Sequence, residues 1–540
     1  MASTSTTSDN IDSSSRGVTW TQRREILGNV WRLALPVILT NLLQSLVNVV
    51  DVFMVGRLGP IAIAAVGISS AIRMLMLVLL ISVAAGGMSL ISQARGARDH
   101  MRMSDITRQS ITSGLLLSLV LGVSGYFLAE TMVSLVNSGG EPEAVALGTS
   151  YLRIIFLGTP FLVLNIIMNR LMQGAGDTIT PLFLTAVLNF LNIAFNFVFM
   201  FGVGPVPAFG VSGAAMGTVL ARAIGVVVVF VIIGSGRNVI KLLPGTFMPK
   251  WNMIKDILAI GVPSGVQGVF RNGSRLLVLG IITSTEVGTY GAAALSIGFQ
   301  VESLVFMPGL ALSVAATSLV GQSLGAWQPQ EARLRGNMTV LSGLVVMTVL
   351  AMPIVIFAPA IIRFFDPSAH PVLLRTGTNY FHINTVVLPL SALAMVSNGC
   401  LRGAGDTVPG LISTVVARAL VAVTLAYVLA MVVGLGSVGV WIGLAVGIVL
   451  DAAIMGFRWH GSAWIRVALH RTALYREYLH NLSPGAQQRY LREVRTPLMA
   501  VGDTRETVNA DGVIYTQPEH RVVVRFSGEG YQTEVASAQG

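Results

Sequence analysis

The pentapeptide Gly174-Ala175-Gly176-Asp177-Thr178 occurs a second time as Gly403-Ala404-Gly405-Asp406-Thr407, 229 positions further along the chain. The same offset carries Gln93 onto Gln322, Gly96-Ala97 onto Gly325-Ala326 and Leu58-Gly59 onto Val287-Gly288. Pro36 falls within two positions of Pro263 on this shift. One copy begins near residue 30 and the other near residue 258, so the chain is a duplication. Whatever it folds into must be built twice from one unit.

The unit is apolar. About twelve runs of roughly 20 residues or more recur, at 31–55, 62–91, 109–136, 145–171, 179–203, 210–234, 254–283, 288–320, 337–364, 372–400, 408–434 and 437–457. Each is long enough to cross the ~30 Å hydrocarbon core of a bilayer, and the longer ones require tilt or kinks. Charged residues make up only 11% of the chain and the mean hydropathy is +0.73, whereas a soluble chain carries about twice that charge. Lipid offers no partner to backbone polar groups, so spans are helices or closed barrels. The alternating ten-residue pattern of a barrel strand is absent. The expected fold is an all-α membrane protein of about twelve transmembrane helices in two homologous six-helix bundles. Duplicated halves of this kind are a hallmark of secondary transporters, though a pore or scaffold can be duplicated too. The single cysteine, Cys400, lies in a span and reads as inert packing.

The net charge of +10 reflects topology rather than nucleic-acid binding. Loops after even-numbered spans carry Arg95, Arg98, Arg102, Arg237, Lys241, Lys250, Arg333, Arg335 and Arg402. Loops after odd-numbered spans hold little beyond Arg57, with Glu141, Glu143 and Glu286 nearby; Arg363 and Arg375 after the ninth are the exception. The positive-inside rule then puts both termini and the even loops in the cytoplasm. The expected organisation is a disordered tail at 1–22, a bundle at 23–235, a cytoplasmic linker at 236–252, a second bundle at 253–460 and a cytoplasmic extension at 461–540. Trp464 to Leu491 has the mixture of basic and apolar residues of an amphipathic helix, with a short soluble helix as the alternative, and Val522-Val523-Val524 reads as a short strand.

Ionisable groups within spans are costly, so each is a functional candidate. In span one, Asn41, Gln44, Asn48 and Asp51 follow helical spacing and form one stripe ending in a carboxylate. In span five, Asn189, Asn192 and Asn196 form another. Together they suit a hard cation or a carboxyl that carries a proton, because burial favours the neutral acid and oxygen ligands suit hard ions. The plainer alternative is that the amides only join helices. On the 229-residue shift Asp51 lands on Gly280, and the asparagines land on Arg418, Val421 and Leu425. That asymmetry favours an ion site in the first half. The second half instead aligns Ser264, Gln267, Arg271 and Arg275 in span seven, with Glu302 in span eight as a carboxylate partner and Arg73 as its equivalent in the first half. These are either a structural ion pair or a binding and gating group.

Pro36, Pro160, Pro263, Pro308, Pro353 and Pro389 lie within spans and permit bending. The glycine-rich pentapeptide lacks the Gly-Lys-Ser/Thr of a phosphate loop and reads as a turn with a cap for the next helix. No catalytic constellation, metal cluster or nucleotide cassette is visible, so no enzyme and no cofactor is expected; energy would come from an H⁺ or Na⁺ gradient.

These residues resemble the multidrug and toxic compound extrusion (MATE) family over roughly 30–460. The resemblance rests on Val50-Asp51-Val52-Phe53-Met54-Val55-Gly56-Arg57-Leu58-Gly59, on Gln173-Gly174-Ala175-Gly176-Asp177-Thr178 with its copy, and on Glu302-Ser303-Leu304 followed by Val320-Gly321-Gln322-Ser323-Leu324-Gly325-Ala326. It implies a V-shaped pair of bundles that exports drugs or metabolites against inward H⁺ or Na⁺. Asp51 matches the family's span-one acid and Asn192 its span-five asparagine. Asn196 stands where many DinF-like members have aspartate, which leaves one carboxylate and leans toward H⁺ over Na⁺ at Asp51. The NorM-like acids of spans seven and ten are missing, Arg271 occupying the first region, so the DinF-like branch is the better analogy. The resemblance implies an antiporter of the cytoplasmic (inner) membrane, acting as a monomer among membrane lipids, with small amphipathic and cationic substrates and no nucleic acid. The alternatives are a lipid-linked oligosaccharide flippase of the same superfamily, for which Arg73, Arg271 and Arg275 are candidates, and a scaffold acting through its C-terminal tail.

Overall fold

The computed structural model describes residues 20–136, 141–236, 238–468 and four strands between 505 and 537. The first half consists of α1 (Trp20–Gly56), α2 (Pro60–Gly96), α3 (His100–Val136), α4 (Pro142–Leu157), α5 (Thr159–Gly174), α6 (Ile179–Phe201) and α7 (Gly210–Gly234). The second comprises α8 (Trp251–Thr283), α9 (Gly288–Gly325), α10 (Pro329–Ile356), α11 (Ala358–Phe365), α12 (Pro371–Tyr380), α13 (Val386–Gly403), α14 (Val408–Ser413), α15 (Ala422–Tyr427) and α16 (Gly436–His460). Among the described residues, 11 helices or jointed helices are long and apolar enough to cross a membrane, and α4 with α5 makes a twelfth, bent by 55°. That bend lies at Gly158, just before Pro160, where the proline cannot donate to the preceding turn. The membrane region is all-α.

Spans ten and eleven are less regular than their apolar runs predict. A π-turn at Phe381–Thr385 joins α12 to α13, and two more, at Thr414–Val421 and Val428–Val432, flank α15. Each inserts an extra residue into the helical repeat and so rotates the face that follows.

Both pentapeptides form the same turn, with Gly176 at φ 88° and Gly405 at φ 80°, a left-handed conformation that favours glycine. The aspartates behind them differ in use. Asp177 accepts from the Thr180 amide at 3.0 Å, capping α6, and from Asn238 Nδ2 at 3.0 Å. Asp406 instead takes Arg458 Nε and Nη2 at 2.9 and 2.6 Å, which ties the second turn to the end of α16. Asp406→Ala is expected to cost about 1–3 kcal/mol, because it strands a half-buried guanidinium. The check is a lower thermal midpoint in detergent, with a less-than-additive Asp406→Ala/Arg458→Ala double variant.

The halves meet through α2, which packs on α8 and α9, and through α1 on α9. This contact obeys the duplication. Gln93 Nε2 donates to the Gly403 carbonyl at 2.9 Å, and its equivalent Gln322 donates to the Gly174 carbonyl at 3.3 Å. Ser89 Oγ donates to the Arg402 carbonyl at 2.5 Å, and its equivalent Ser318 to the Gly174 carbonyl at 3.0 Å. A Cβ on Gly96 would strike the Gln322 carbonyl, and one on Gly325 would strike the Gln93 carbonyl. Ser92 faces Gly321, its own repeat mate. A pseudo-twofold axis therefore passes between α2 and α9, and each half clamps the other's pentapeptide turn.

The segment after α7 is fastened to α3. Arg108 Nη2 donates to the Leu243 carbonyl at 2.7 Å, Lys250 N donates to Gln109 Oε1 at 2.8 Å, and Lys250 Nζ meets Asp105 Oδ2 at 2.9 Å. Beyond α16, residues 463–468 are helical, and Trp464 is buried in a stack on Trp459 at 4.5 Å. The rest of the expected amphipathic helix lies outside the described residues, as do residues 1–19. The C-terminal unit holds an antiparallel four-stranded meander, β1 (Arg505–Asn509), β2 (Gly512–Thr516), β3 (His520–Ser527) and β4 (Gly530–Ser537). The strand expected at Val522–Val524 is part of β3.

Candidate functional site

α1 and α6 bring together three of the polar residues that helical spacing selects. Asn196 Nδ2 donates to Asp51 Oδ1 at 2.9 Å and approaches Asn192 Oδ1 at 3.4 Å. Asn192 Nδ2 donates in turn to Thr218 Oγ1 at 3.0 Å, and Thr218 donates to the Ala214 carbonyl at 2.9 Å. The result is a chain of hydrogen bonds from α1 through α6 to α7. Gly217 permits it, because a side chain there would collide with Asn196. Asp51 is half-buried, whereas Asn192 and Asn196 are buried. Asn196 Oδ1 has no hydrogen-bond partner and is buried against Gly217.

The other two ion-site candidates stand apart. Asn189 is buried beneath Asn192 with its amide nitrogen unpartnered, and Asn48 is exposed and makes no hydrogen bond to the cluster. Arg73, already singled out in the sequence, and three residues outside that set, Arg222, Tyr151 and Thr218, complete the surroundings. Arg73 and Arg222 both act electrostatically on Asp51, and Arg73 Nη1 donates to Tyr151 Oη at 3.3 Å. Arg222 is a charge within a span, and the rule that selects Asp51 finds it. Tyr151 and Thr218 carry no comparable signal. Thr218→Val is expected to cost about 0.5–1.5 kcal/mol, the worth of one hydrogen bond, with Thr218→Ser near wild type. The thermal midpoint in detergent measures this.

In the second half, Gln267 Nε2 donates to the Gly410 carbonyl at 3.0 Å and to Thr414 Oγ1 at 2.9 Å, and its Oε1 accepts from Asn398 at 3.1 Å. One turn on, the anticipated ion pair of Arg271 or Arg275 with Glu302 does not form. Arg275 lies over the Phe299 ring at 4.1 Å, and Glu302 is buried beside Tyr380 with its Oε1 unpartnered. A carboxylate that sequence reading did not select, Asp451 on α16, accepts from Arg418 Nε at 3.1 Å and Ser413 Oγ at 2.5 Å. Arg418 sits in the first π-turn of span eleven. The described residues contain no group of three or more His, Cys, Asp or Glu placed to hold a metal ion.

A family model, MatE, matches residues 36–198 and 263–428, one stretch in each half. The chain is similar to "Probable multidrug resistance protein NorM" of Thermotoga maritima, 28% identical over 459 residues that cover 85% of this chain and 96% of that protein. It is similar to the protein of the same name from Bradyrhizobium diazoefficiens, 28% identical over 79% of this chain and 91% of the relative. Two solved structures share the fold at 23% identity, each covering 82% of this chain and 96% of its own. One is a MOP superfamily transporter from Pyrococcus furiosus, with a TM-score of 0.74. The other is an outward-facing MATE family multidrug resistance transporter, with a TM-score of 0.75.

Proposed function

The chain belongs to the MatE family, and from that premise we propose that it is an antiporter exporting amphipathic organic compounds against an inward cation, H⁺ ahead of Na⁺. The observation that carries this reading is the Asp51 carboxylate, held by Asn196 inside a duplicated bundle of membrane helices. It is the one carboxylate on its stripe, and it stands between two helices able to move relative to one another. A bound proton or cation cancels its charge and loosens its hold on Arg73 and Arg222. Asn192 and Asn196 assist with amide oxygens, and Thr218 holds Asn192. This gives the ion a differential affinity for two arrangements of the first bundle, which coupling requires. Cationic cargo fits the carboxylate at Asp51.

The contact between α2 and α9 lies at the end whose loops carry the excess of Lys and Arg. The reading therefore places a closed cytoplasmic side, both termini in the cytoplasm, and a monomer embedded in the lipid of the cytoplasmic membrane. The test is efflux of a fluorescent amphiphile from proteoliposomes under an imposed pH gradient and, separately, under a Na⁺ gradient. Efflux driven by the pH gradient alone is expected. Flux indifferent to both gradients would overturn the coupling.

A further inference from the structure

The two halves carry charge of opposite sign at equivalent positions. On the 229-residue shift Arg73 corresponds to Glu302, Arg222 to Asp451 and Asn189 to Arg418, while Tyr151 and Tyr380 keep one phenol in place. In the first half Tyr151 accepts from an arginine; in the second Tyr380 lies beside a buried carboxylate. The leading helix is inverted as well. Asp51 has no acidic counterpart on α8, which presents Arg271 and Arg275 within about three turns before Gly280. A group arranged around an acid in one copy is arranged around bases in the other.

These charges are unequally satisfied. Asp451 is already engaged by Arg418 and Ser413. Glu302 is buried and directed at Tyr380. Among the described residues no carboxylate lies within salt-bridge distance of Arg271 or Arg275, and both are exposed. Arg271 feels Arg418, Arg275 and Asp451 as its charged neighbours. Three guanidiniums thus face two carboxylates, leaving one positive charge in excess in a region where lipid would not solvate it. Stacking on Phe299 uses the face of the Arg275 guanidinium and leaves its N–H edge free. Behind Phe299, Tyr380 at 6.5 Å and Trp441 at 4.8 Å from Tyr380 continue an aromatic wall. Two planar forks four residues apart beside such a wall match an oxyanion with an apolar body.

We propose that the second bundle holds an oxyanion site, in which Arg271 and Arg275 take the carboxylate or phosphate head of an amphiphile and Phe299 receives its apolar part. This deepens the transport reading and rests on it: the cargo, or a lipid seated beside it, carries an acidic group whatever other charges it bears.

The test is calorimetric titration of the full-length protein in neutral detergent with dodecyl phosphate and with dodecyltrimethylammonium, amphiphiles of equal chain length and opposite charge. Dodecyl phosphate binds about tenfold tighter or more. Arg271→Gln/Arg275→Gln abolishes that preference, Arg271→Glu/Arg275→Glu inverts it, and Arg271→Lys/Arg275→Lys, which keeps the charge and loses the fork, is intermediate. Arg363→Gln, exposed on α11, leaves it unchanged. Equal binding of the two amphiphiles by the wild type, or a preference that survives loss of both arginines, overturns the proposal. Two further arms identify the source. Counterflow of dodecyl phosphate in proteoliposomes marks a free amphiphile, whereas arginine-dependent movement of fluorescent phosphatidylglycerol between leaflets marks a lipid head group. Equilibrium binding needs no gradient, so failure of ion coupling leaves this test standing, and loss of the anion preference leaves coupling at Asp51 standing.

Discussion

Asp51→Asn is expected to leave the protein folded in the membrane and to abolish concentrative efflux. The replacement amide is nearly isosteric, and its carbonyl oxygen still accepts from Asn196 Nδ2, so the link between α1 and α6 survives. What it loses is the ability to change charge. For a cargo without net charge, a single cation moving down 100 mV supplies about 2.3 kcal/mol, enough for roughly a fifty-fold concentration gradient. The variant should fall from that ratio to no gradient, while gradient-free exchange of cargo persists. Asp51→Glu keeps the chemistry but displaces it by a methylene, and should retain part of the coupling. Accumulation ratios measured in proteoliposomes at fixed potential decide the matter; wild-type ratios in Asp51→Asn would move the ion site elsewhere.

The second large effect is expected at Gly96 and Gly325. Each lies against the partner half's backbone, and an added methyl would collide with a carbonyl rather than with a side chain able to turn away. Overpacking costs about 1–3 kcal/mol even where side chains can adjust, so Gly96→Ala and Gly325→Ala should each shift the equilibrium away from the closed contact by about tenfold or more. The two should behave alike because they are repeat mates. Spin labels at the ends of α2 and α10 would report longer distances, and transport would drop in step. Gln93→Ala and Gln322→Ala remove hydrogen bonds without inserting bulk and should give smaller shifts. Unchanged distances in both glycine variants would mean that this contact does not hold the closed state.

Much of this architecture is legible in the sequence because lipid leaves the backbone few options. Twelve apolar runs must become helices, and one exact repeat must become two related bundles. The contact between Asp51 and Asn196 is legible for the same reason, since helical spacing puts both residues on inward stripes. The second half is harder to read. Arg271, Arg275 and Glu302 are visible as costly charges, but spacing does not reveal that Phe299 and Tyr380 will take the places of the expected ion-pair partners. Asp451 meets Arg418 from within the π-turn at Thr414–Val421, and nothing in an apolar run announces a π-turn. Thr218 is a small polar residue among many and gains its place from close packing at Gly217. The swapped signs at Arg73 and Glu302, and at Arg222 and Asp451, were present in the repeat alignment throughout. They acquire meaning only when Tyr151 and Tyr380 are seen holding the same place in each half.

Among the described residues, the hydrogen bonds between α2 or α9 and the opposite half's pentapeptide turn run from serine hydroxyls and glutamine amides to main-chain carbonyls. None of these groups is ionised, so breaking and remaking the bonds transports no charge. That part of the step should be electrically silent, since a membrane potential does work only on charges. Any voltage dependence of turnover then originates with the ion and cargo rather than with these bonds.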